Sequence, residues 1–459
     1  MSYNGNSSDY FVSLNGVRQG ENLSPFLFAI FINDIEQHLI QYGCNPINIV
    51  DPDMQIFLEL LVIMYADDTV LFSDTEEGLQ KCLNGLKTYC DKWKLQINTE
   101  KTKVMIFSKT KAKPGDFNFK IGDKVVEIVH AFQYLGITFS YNGNFTANFQ
   151  HLRKNGIRAM FAIIKKARAM SLPIDIQFEL FDRIVLPTML NGCEIWGYKN
   201  LDTIEKVHLK FCKLVLKLKS CTSNAMVYGE TGRYNMEYYV KKRMINFWSK
   251  IACGDKNKLS YIVYDLCKQK HDRGLPSTDW FDSIVSLMNS CGIHNIPVSI
   301  DEVKAVTKQI HKSLKLEFKK KWVEQINEPN SKSSVFYRHI KTVFESEHYL
   351  TKMPHNLRVS LSKIRTCNHK LPIETGRYSR RKVPRESRIC TKCNNGQVGD
   401  EYHFILTCAN PTLRDLREKY ISPYYYCQPS TEKLGELFGN KGRKLFKLAR
   451  YVHEGLKLY

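Results

Sequence analysis

Met64-Tyr65-Ala66-Asp67-Asp68-Thr69-Val70 sets two carboxylates side by side between two short apolar runs. Ile56, Phe57, Leu58, Leu60, Leu61, Val62 and Ile63 precede it, and Val70, Leu71 and Phe72 follow. Both runs are rich in β-branched and aromatic residues, which predicts strand, tight turn, strand. Adjacent aspartates at such a turn repel each other and resist burial, so a positive partner should neutralise them. A hard divalent cation suits them best, because Mg²⁺ takes carboxylate oxygens while keeping places for water and substrate phosphates. A doubled Asp alone is more often a solvated turn. The flanking residues decide between the two.

Four motifs in order resemble those of reverse transcriptases. Tyr65-Ala66-Asp67-Asp68 looks like their YxDD motif. Upstream, Gly16-Val17-Arg18-Gln19-Gly20, Leu23-Ser24-Pro25 and Phe31-Ile32-Asn33-Asp34-Ile35 resemble the motif before the active-site hairpin. Downstream, Trp93-Lys94-Leu95-Gln96-Ile97-Asn98 with Lys101-Thr102-Lys103, and then Tyr134-Leu135-Gly136-Ile137, fit the next two. Within that family the variant is similar to the non-LTR (LINE-type) retrotransposon enzymes.

The bulk composition agrees. A chain of 459 residues is long enough for two to four domains, and 43% apolar content is ordinary for globular proteins. The formal net charge of +21 favours a polyanionic partner, nucleic acid before membrane. The 25 Phe and 24 Tyr include rings that could stack on bases, though most belong to cores. Fourteen scattered cysteines and a polar Met1–Asp9 stretch without a secretory pattern predict free thiols inside the cell, in nucleus or cytoplasm. No apolar stretch is long enough to span a bilayer, so no membrane partner is expected.

The predicted fold is α+β: a partial polymerase palm (an antiparallel sheet with packed helices), a helical thumb and linker, and a small C-terminal zinc-binding module. Residues 1–140 read as the palm. Tyr10–Leu14 is a short strand, and Ser24 caps a helix whose first turn holds Pro25 and whose buried face holds Phe28, Ile32, Ile35 and Leu39. Gly43 to Asp53 reads as a loop, and Thr75-Glu76-Glu77 starts a helix carrying Leu79, Leu83, Leu86 and Trp93. Val104–Phe107, Phe117–Ile121 and Val125–Val129 are strand-like, with turns at Lys113–Asp116 and Gly122-Asp123. Residues 141–255 become helical. Leu152, Ala159, Met160, Ile163, Ile164 and Ala167 form a stripe beside Arg153, Lys154, Arg158, Lys165, Lys166 and Arg168. That basic face, ordinary for solvated helices, also suits a thumb holding duplex phosphates. Ser171-Leu172-Pro173 breaks this helix, a second runs from Ile174 towards Pro187, and Trp196 is core. Residues 256–355 form a helical linker region with Val303, Val306, Ile310, Leu314, Phe318 and Trp322 at helical spacing. Asn327 to Ser334 is a loop within it.

Residues 356–459 form a basic CCHC zinc-knuckle-like region. Cys390-x2-Cys393-x9-His403-x4-Cys408 supplies three thiolates and an imidazole, with Gly396 and Gly399 letting the chain return. Four ligands fill a tetrahedral Zn²⁺, so the role is structural. Cys367, His369 and Cys427 compete for one ligand place. Arg377 to Lys392 holds seven basic residues against one acid, a strip suited to phosphates. Ile364-Arg365 through Asn368-His369-Lys370-Leu371-Pro372-Ile373-Glu374 and Gly376-Arg377 also resembles the tails of these retrotransposon proteins, which bind element RNA or target DNA.

The resemblance implies an RNA-directed DNA polymerase that transfers nucleotides to a primer 3′-hydroxyl with two Mg²⁺ ions held by three aspartates. Its partners would be RNA template, DNA primer, target DNA and deoxynucleoside triphosphates. Asp67 and Asp68 match the adjacent pair of metal ligands, and Lys101 would face the triphosphate. Arg18, Gln19, Gly20, Tyr65 and Ala66 would contact substrate, glycine allowing close backbone approach. The third aspartate has no counterpart. Only Asp9 precedes Gly16 among the acids, in a setting unlike the family's strand, so the two-ion site is expected to be incomplete. The chain thus reads as a C-terminal fragment lacking fingers and the first catalytic motif. The alternative is a non-catalytic nucleic-acid-binding remnant of such an element.

Overall fold

The computed structural model describes residues 2–3, 6–7, 16, 20–51, 56–108, 117–198, 201–275, 277–328, 334–379 and 383–459. Two compact units emerge: Met1–Tyr134 with Thr138–Asn144, and Leu135–Ile137 with Phe145–Tyr459. The expected strand at Tyr10–Leu14 and turn at Lys113–Asp116 lie outside the described residues, as does most of the Asn327–Ser334 loop.

The first unit runs β1 (Ser2–Tyr3), β2 (Asn6–Ser7), α1 (Ser24–Phe31), α2 (Ile35–Gln41), β3 (Ile47–Asp51), β4 (Ile56–Leu60), β5 (Val62–Tyr65) and β6 (Asp68–Leu71). Then come α3 (Glu76–Lys92), β7 (Lys103–Val104), β8 (Lys120–Ile121), β9 (Lys124–Val125), β10 (Glu127–Ile128), β11 (Ala131–Tyr134) and β12 (Ile137–Ser140). Helix α3 forms where expected. Thr75 Oγ1 accepts the Gly78 N–H at 3.0 Å, Glu76 and Glu77 sit in the first turn and Lys92 in the last, complementing the helix dipole. It lies between two small cores, giving Cys82 and Tyr89 to the one with Ile35, Leu39, Cys44 and Leu61. Leu83 goes to the other, with Val104, Phe119, Ile121 and Val126.

Three local expectations are corrected. Ser24 is the first helical residue and Leu23 the cap, because the Ser24 N–H already turns back onto the Glu21 carbonyl; Pro25 keeps its place in the first turn. The apolar positions from Phe28 to Leu39 belong to two helices, α1 and α2, broken at Ile32–Asp34. Ile47–Asp51 is a strand paired antiparallel with β4, Ile47 opposite Leu60 and Asp51 opposite Ile56, where a loop was expected. Its β-branched residues outweigh the flanking Gly43, Pro46 and Pro52. In place of one antiparallel sheet, the described strands pair two by two, and β7 with β10 is parallel. The run from Ile56 to Ile63 bends at buried Leu61, so β4 and β5 each keep a separate partner.

The second unit is helical. It contains α4 (Thr146–Ala169), α5 (Ile174–Leu180), α6 (Leu186–Met189), α7 (Cys193–Trp196), α8 (Asp202–Val215), α9 (Asn224–Thr231), α10 (Met236–Ala252), α11 (Leu259–Asp272) and α12 (Asp279–Ser290). It continues with α13 (Ile300–Asn327), α14 (Ser334–Ile340), α15 (Tyr349–Lys352), α16 (His355–Arg365), α17 (Pro372–Thr375), α18 (Pro411–Tyr420), α19 (Pro423–Tyr426), α20 (Thr431–Gly439) and α21 (Gly442–Gly455). One continuous core runs from Leu152 in α4 to Val452 in α21. Leu152, Met160, Ile163, Ile164 and Ala167 are buried in it, as the stripe predicts, and so is Trp196, whose indole N–H donates to the Asn191 carbonyl at 2.8 Å. A π-helical turn, Phe181–Val185, joins α5 to α6.

Candidate active hairpin and metal centre

Strands β5 and β6 pair with Tyr65 opposite Asp68, leaving Ala66 and Asp67 as a two-residue turn. Ala66 adopts φ +53, a region that a residue with a Cβ seldom enters. Such strain, of order 1–3 kcal/mol, persists where surrounding structure imposes it and clusters at functional sites. The turn carries Asp67 at its tip and Asp68 onto the return strand, both exposed, beside exposed Tyr65. Among the described residues neither aspartate forms an ion pair. The pair is therefore free to meet a cation from outside.

Tyr134 was not singled out as a site residue from sequence. Its hydroxyl is buried with no hydrogen-bond partner, and its ionisation is raised by burial and then by the charge of Asp68. The two lie 66 positions apart, so only the fold relates them. Lys101 sits exposed in a turn whose Asn98 side chain accepts the Lys101 N–H at 3.1 Å, and it makes no ion pair with Asp67 or Asp68. Gly20 is exposed at φ +91 with open space around its Cα, while Arg18 and Gln19 lie outside the described residues, as does Asp9. Asp34 is engaged elsewhere, accepting from the Tyr89 hydroxyl at 2.5 Å. Among the described residues no third ligating side chain joins the aspartate pair.

The four residues of the Cys/His motif do converge. The ligand atoms of Cys390, Cys393, His403 and Cys408 all lie within 4.8 Å of one another, and together they could hold a metal ion. Cys390 Sγ is 3.9 Å from Cys408 Sγ, and Cys393 Sγ is 3.3 Å from His403 Nε2. A bridge between Ile389 and Val398 forms the knuckle, Gly396 turning it at φ +66. Gly399 serves differently: an added Cβ would meet the Pro372 ring and the Cys390 backbone. His403 begins a π-helical turn, and its Nδ1 lies 2.8 Å from Gln397 Oε1 and 3.0 Å from Thr407 Oγ1. The Gln397 oxygen only accepts, so Nδ1 carries the proton and Nε2 offers its lone pair towards Cys393.

Electrostatics favour a cation there. Burial, then Arg417, holds His403 below its ordinary value, so the imidazole is neutral. Burial raises the Cys390 thiol, but hydrogen bonds from Tyr459 and from the Lys392 and Cys393 N–H groups bring it below its ordinary value. Cys408 is pushed up to about 12 by burial and by the facing Cys390 and Cys393. Three thiols so close cannot all ionise without a positive charge among them.

The rival ligands fall elsewhere. Cys367 and His369 gather around Glu401 in a separate buried group, with His369 Nε2 2.9 Å from Glu401 Oε1. The Leu371 N–H donates to His369 Nδ1, so Nε2 carries the proton and is turned to the carboxylate rather than to a metal. Cys427 is exposed. Along the basic strip, Arg377 pairs with Glu374, Arg385 with Asp400, and Arg388 donates to the Val383 and Ile373 carbonyls. These three cations are thus committed internally, and Arg380, Arg381 and Lys382 lie outside the described residues. The α4 cations Arg153, Lys154, Arg158, Lys165, Lys166 and Arg168 are all exposed.

Residues 1–139 match the family model described as reverse transcriptase (RNA-dependent DNA polymerase). The chain is 24% identical over 213 residues to the RNA-directed DNA polymerase from mobile element jockey of Drosophila melanogaster, covering 44% of this chain and 22% of that protein. Over 192 residues it is 25% identical to the probable RNA-directed DNA polymerase from transposon BS of the same fly, covering 40% and 20%. Over 246 residues it is 21% identical to the corresponding protein from transposon X-element, covering 49% and 25%. The chain spans about a quarter or less of the length of these relatives. No solved structure matches. Among the described residues no helix is long and apolar enough to cross a membrane.

Proposed function

From a chain that belongs with the reverse transcriptases of non-LTR retrotransposons, we propose a role in RNA-directed DNA synthesis, extending a primer 3′-hydroxyl along an RNA template. The observation that carries this reading is the strained hairpin presenting two exposed, unpaired carboxylates inside the segment that matches the family. Asp67 and Asp68 would hold Mg²⁺, and their exposure without an internal cation fits them for it. Bound there, Mg²⁺ would lower the pKa of the attacking hydroxyl and neutralise charge on the triphosphate. Gly20, Tyr65 and Ala66 are assigned to substrate contact and Lys101 to the triphosphate, with Arg18 and Gln19 beside the nascent base pair. Residues 1–140 act as palm, 141–255 as a thumb whose α4 cations hold duplex phosphates, 256–355 as helical linker and 356–459 as nucleic-acid-binding tail. RNA template, DNA primer, target DNA and deoxynucleoside triphosphates are the partners.

Cys390, Cys393, His403 and Cys408 are assigned to a structural Zn²⁺. A tetrahedral ion with Zn–S near 2.3 Å and Zn–N near 2.0 Å separates sulfurs by about 3.8 Å and sulfur from nitrogen by about 3.5 Å. The observed 3.9 Å and 3.3 Å support that set. Four protein ligands leave no place for a reacting water.

The test is incorporation of dTTP on poly(rA) primed with oligo(dT), in Mg²⁺, by the polypeptide in which this sequence is translated. RNA-templated product is expected, and Asp68→Ala should abolish it. Salt-dependent binding without any product would instead favour the non-catalytic reading.

A further inference from the structure

The Cys/His tail is assigned above to nucleic-acid binding, and within its basic strip the described Arg377, Arg385 and Arg388 are engaged by internal partners, while Arg380, Arg381 and Lys382 lie outside the described residues. Arg377, Arg385 and Arg388 are held by Glu374, Asp400 and two backbone carbonyls. Among the described residues, a line of exposed cations lies on α21. Its inner face, Leu445, Leu448, Ala449, Tyr451 and Val452, is buried. Its outer face carries Arg443, Lys447 and Arg450 at spacings of four and three, flanked by Lys444, and all four are exposed. None of them has an acidic partner among the described residues. The helix holds one acid, Glu454, which is occupied by the Tyr420 hydroxyl at 2.8 Å. Of the helices packed on α21, α16, joined by Ser360 Oγ to His453 Nδ1 at 2.8 Å, has no acid, while α18 carries Asp415 and Glu418 and α20 carries Glu432 and Glu436, none of them in an ion pair with the ridge among the described residues.

We propose that the Arg443–Lys447–Arg450 ridge of α21 binds the phosphate backbone of a nucleic-acid duplex, deepening the proposed nucleic-acid role of the tail. The ridge spans roughly 10 Å at 1.5 Å per residue, in a line fixed by the packing beneath it. Single strands are held largely by stacking on exposed rings. This ridge offers none, since Phe446 is half-buried and covered by the Arg450 guanidinium at 5.1 Å. Membrane attachment is disfavoured because the apolar face that would enter lipid is already in the core. The Cys/His cluster is tied to the helix that carries the ridge. Tyr459, just past α21, reaches Cys390 Sγ at 3.3 Å, and the Tyr451 hydroxyl donates to the Phe404 carbonyl between cluster residues His403 and Cys408.

The experiment compares the parent chain with Arg443→Gln/Lys447→Gln/Arg450→Gln, titrating a 20-base-pair DNA duplex and a single strand of equal length over a range of salt. The three side chains are exposed and form no ion pair among the described residues, so melting temperature and zinc content should stay close to the parent's and certify the fold. The slope of log affinity against log salt for the duplex should become shallower by about 0.9 for each phosphate that is no longer neutralised, with a smaller change for the single strand. A parent that binds steeply and a variant with the same slope and affinity would overturn the ridge while leaving the tail's role standing. Weakening confined to the single strand would overturn the duplex assignment. A parent with no salt-dependent binding would bring down the nucleic-acid reading itself.

Discussion

Arg365 and Glu230, 135 residues apart in the chain, meet with both side chains excluded from solvent, the Arg365 Nε lying 3.1 Å and 2.9 Å from the two carboxylate oxygens. The Tyr349 hydroxyl donates to the same carboxylate at 2.5 Å, and Glu347 joins Arg365 to Lys341. This network ties α9 to α15 and α16. Arg365→Met strands a buried carboxylate and should cost about 3–5 kcal/mol. The double variant with Glu230→Met should lose clearly less than the two single changes summed. Urea unfolding of the three variants measures this, and simple additivity would mean the pair is not coupled.

Zinc should be bound at one ion per chain and should stabilise the helical unit. Chelation or Cys393→Ser should remove it and lower the melting temperature. Binding displaces protons from thiols, Cys408 above all, since burial lifts it to about 12. Apparent zinc affinity should therefore climb with pH between 6 and 8. Metal content by mass spectrometry checks the first claim and a competitive chelator titration the second.

Tyr459 should matter to the ion although it is not a ligand. Its hydroxyl 3.3 Å from Cys390 Sγ donates to a thiolate, and partners of this kind are typically worth about 10–100-fold in metal affinity. Tyr459→Phe keeps the ring packed against Phe404 and removes only that bond. Faster zinc transfer to a chelator is expected, with unchanged stoichiometry.

Glu205 gives the helical unit an acid-sensitive element. Burial alone would raise its carboxyl, but His208, the Met236 N–H and the Tyr228 hydroxyl outweigh burial and hold it below its ordinary value. A depressed carboxyl stabilises fully above the unfolded value of about 4.3 and loses that contribution as pH falls through the folded value. Glu205→Gln should destabilise at pH 7 by about 1–3 kcal/mol, and the gap to the parent should narrow below about pH 4. Urea midpoints between pH 7 and 3 would show it; parallel curves would deny it.

The Asp67-Asp68 hairpin was legible because β-branched and aromatic runs flank a polar turn, a pattern local to the stretch from Ile56 to Phe72. The Cys/His centre was legible because ligand spacing along the chain constrains geometry in space. The buried stripe of α4 and the burial of Trp196 followed from periodicity in the same way. What escaped was long-range. The influence of Asp68's charge on Tyr134, and the contacts of Tyr459 with Cys390 and Arg365 with Glu230, join residues whose separation carries no local signal. A charge count misses a related point: within the Arg377–Lys392 run, the guanidiniums of Arg377, Arg385 and Arg388 are bonded to Glu374, Asp400 and backbone carbonyls. Strand Ile47–Asp51 was hidden by the turn-forming residues around it.

The central claim is that Asp67 and Asp68 form the cation site of nucleotidyl transfer. Mn²⁺, a spectroscopically visible stand-in for Mg²⁺, can be titrated into the zinc-loaded polypeptide with primer-template and a non-hydrolysable deoxynucleotide, and followed by electron paramagnetic resonance. The account predicts bound Mn²⁺ that Asp67→Asn/Asp68→Asn weakens by more than about 100-fold, a ligand counting for more than its supporting partners. Equal Mn²⁺ binding in parent and variant would contradict it.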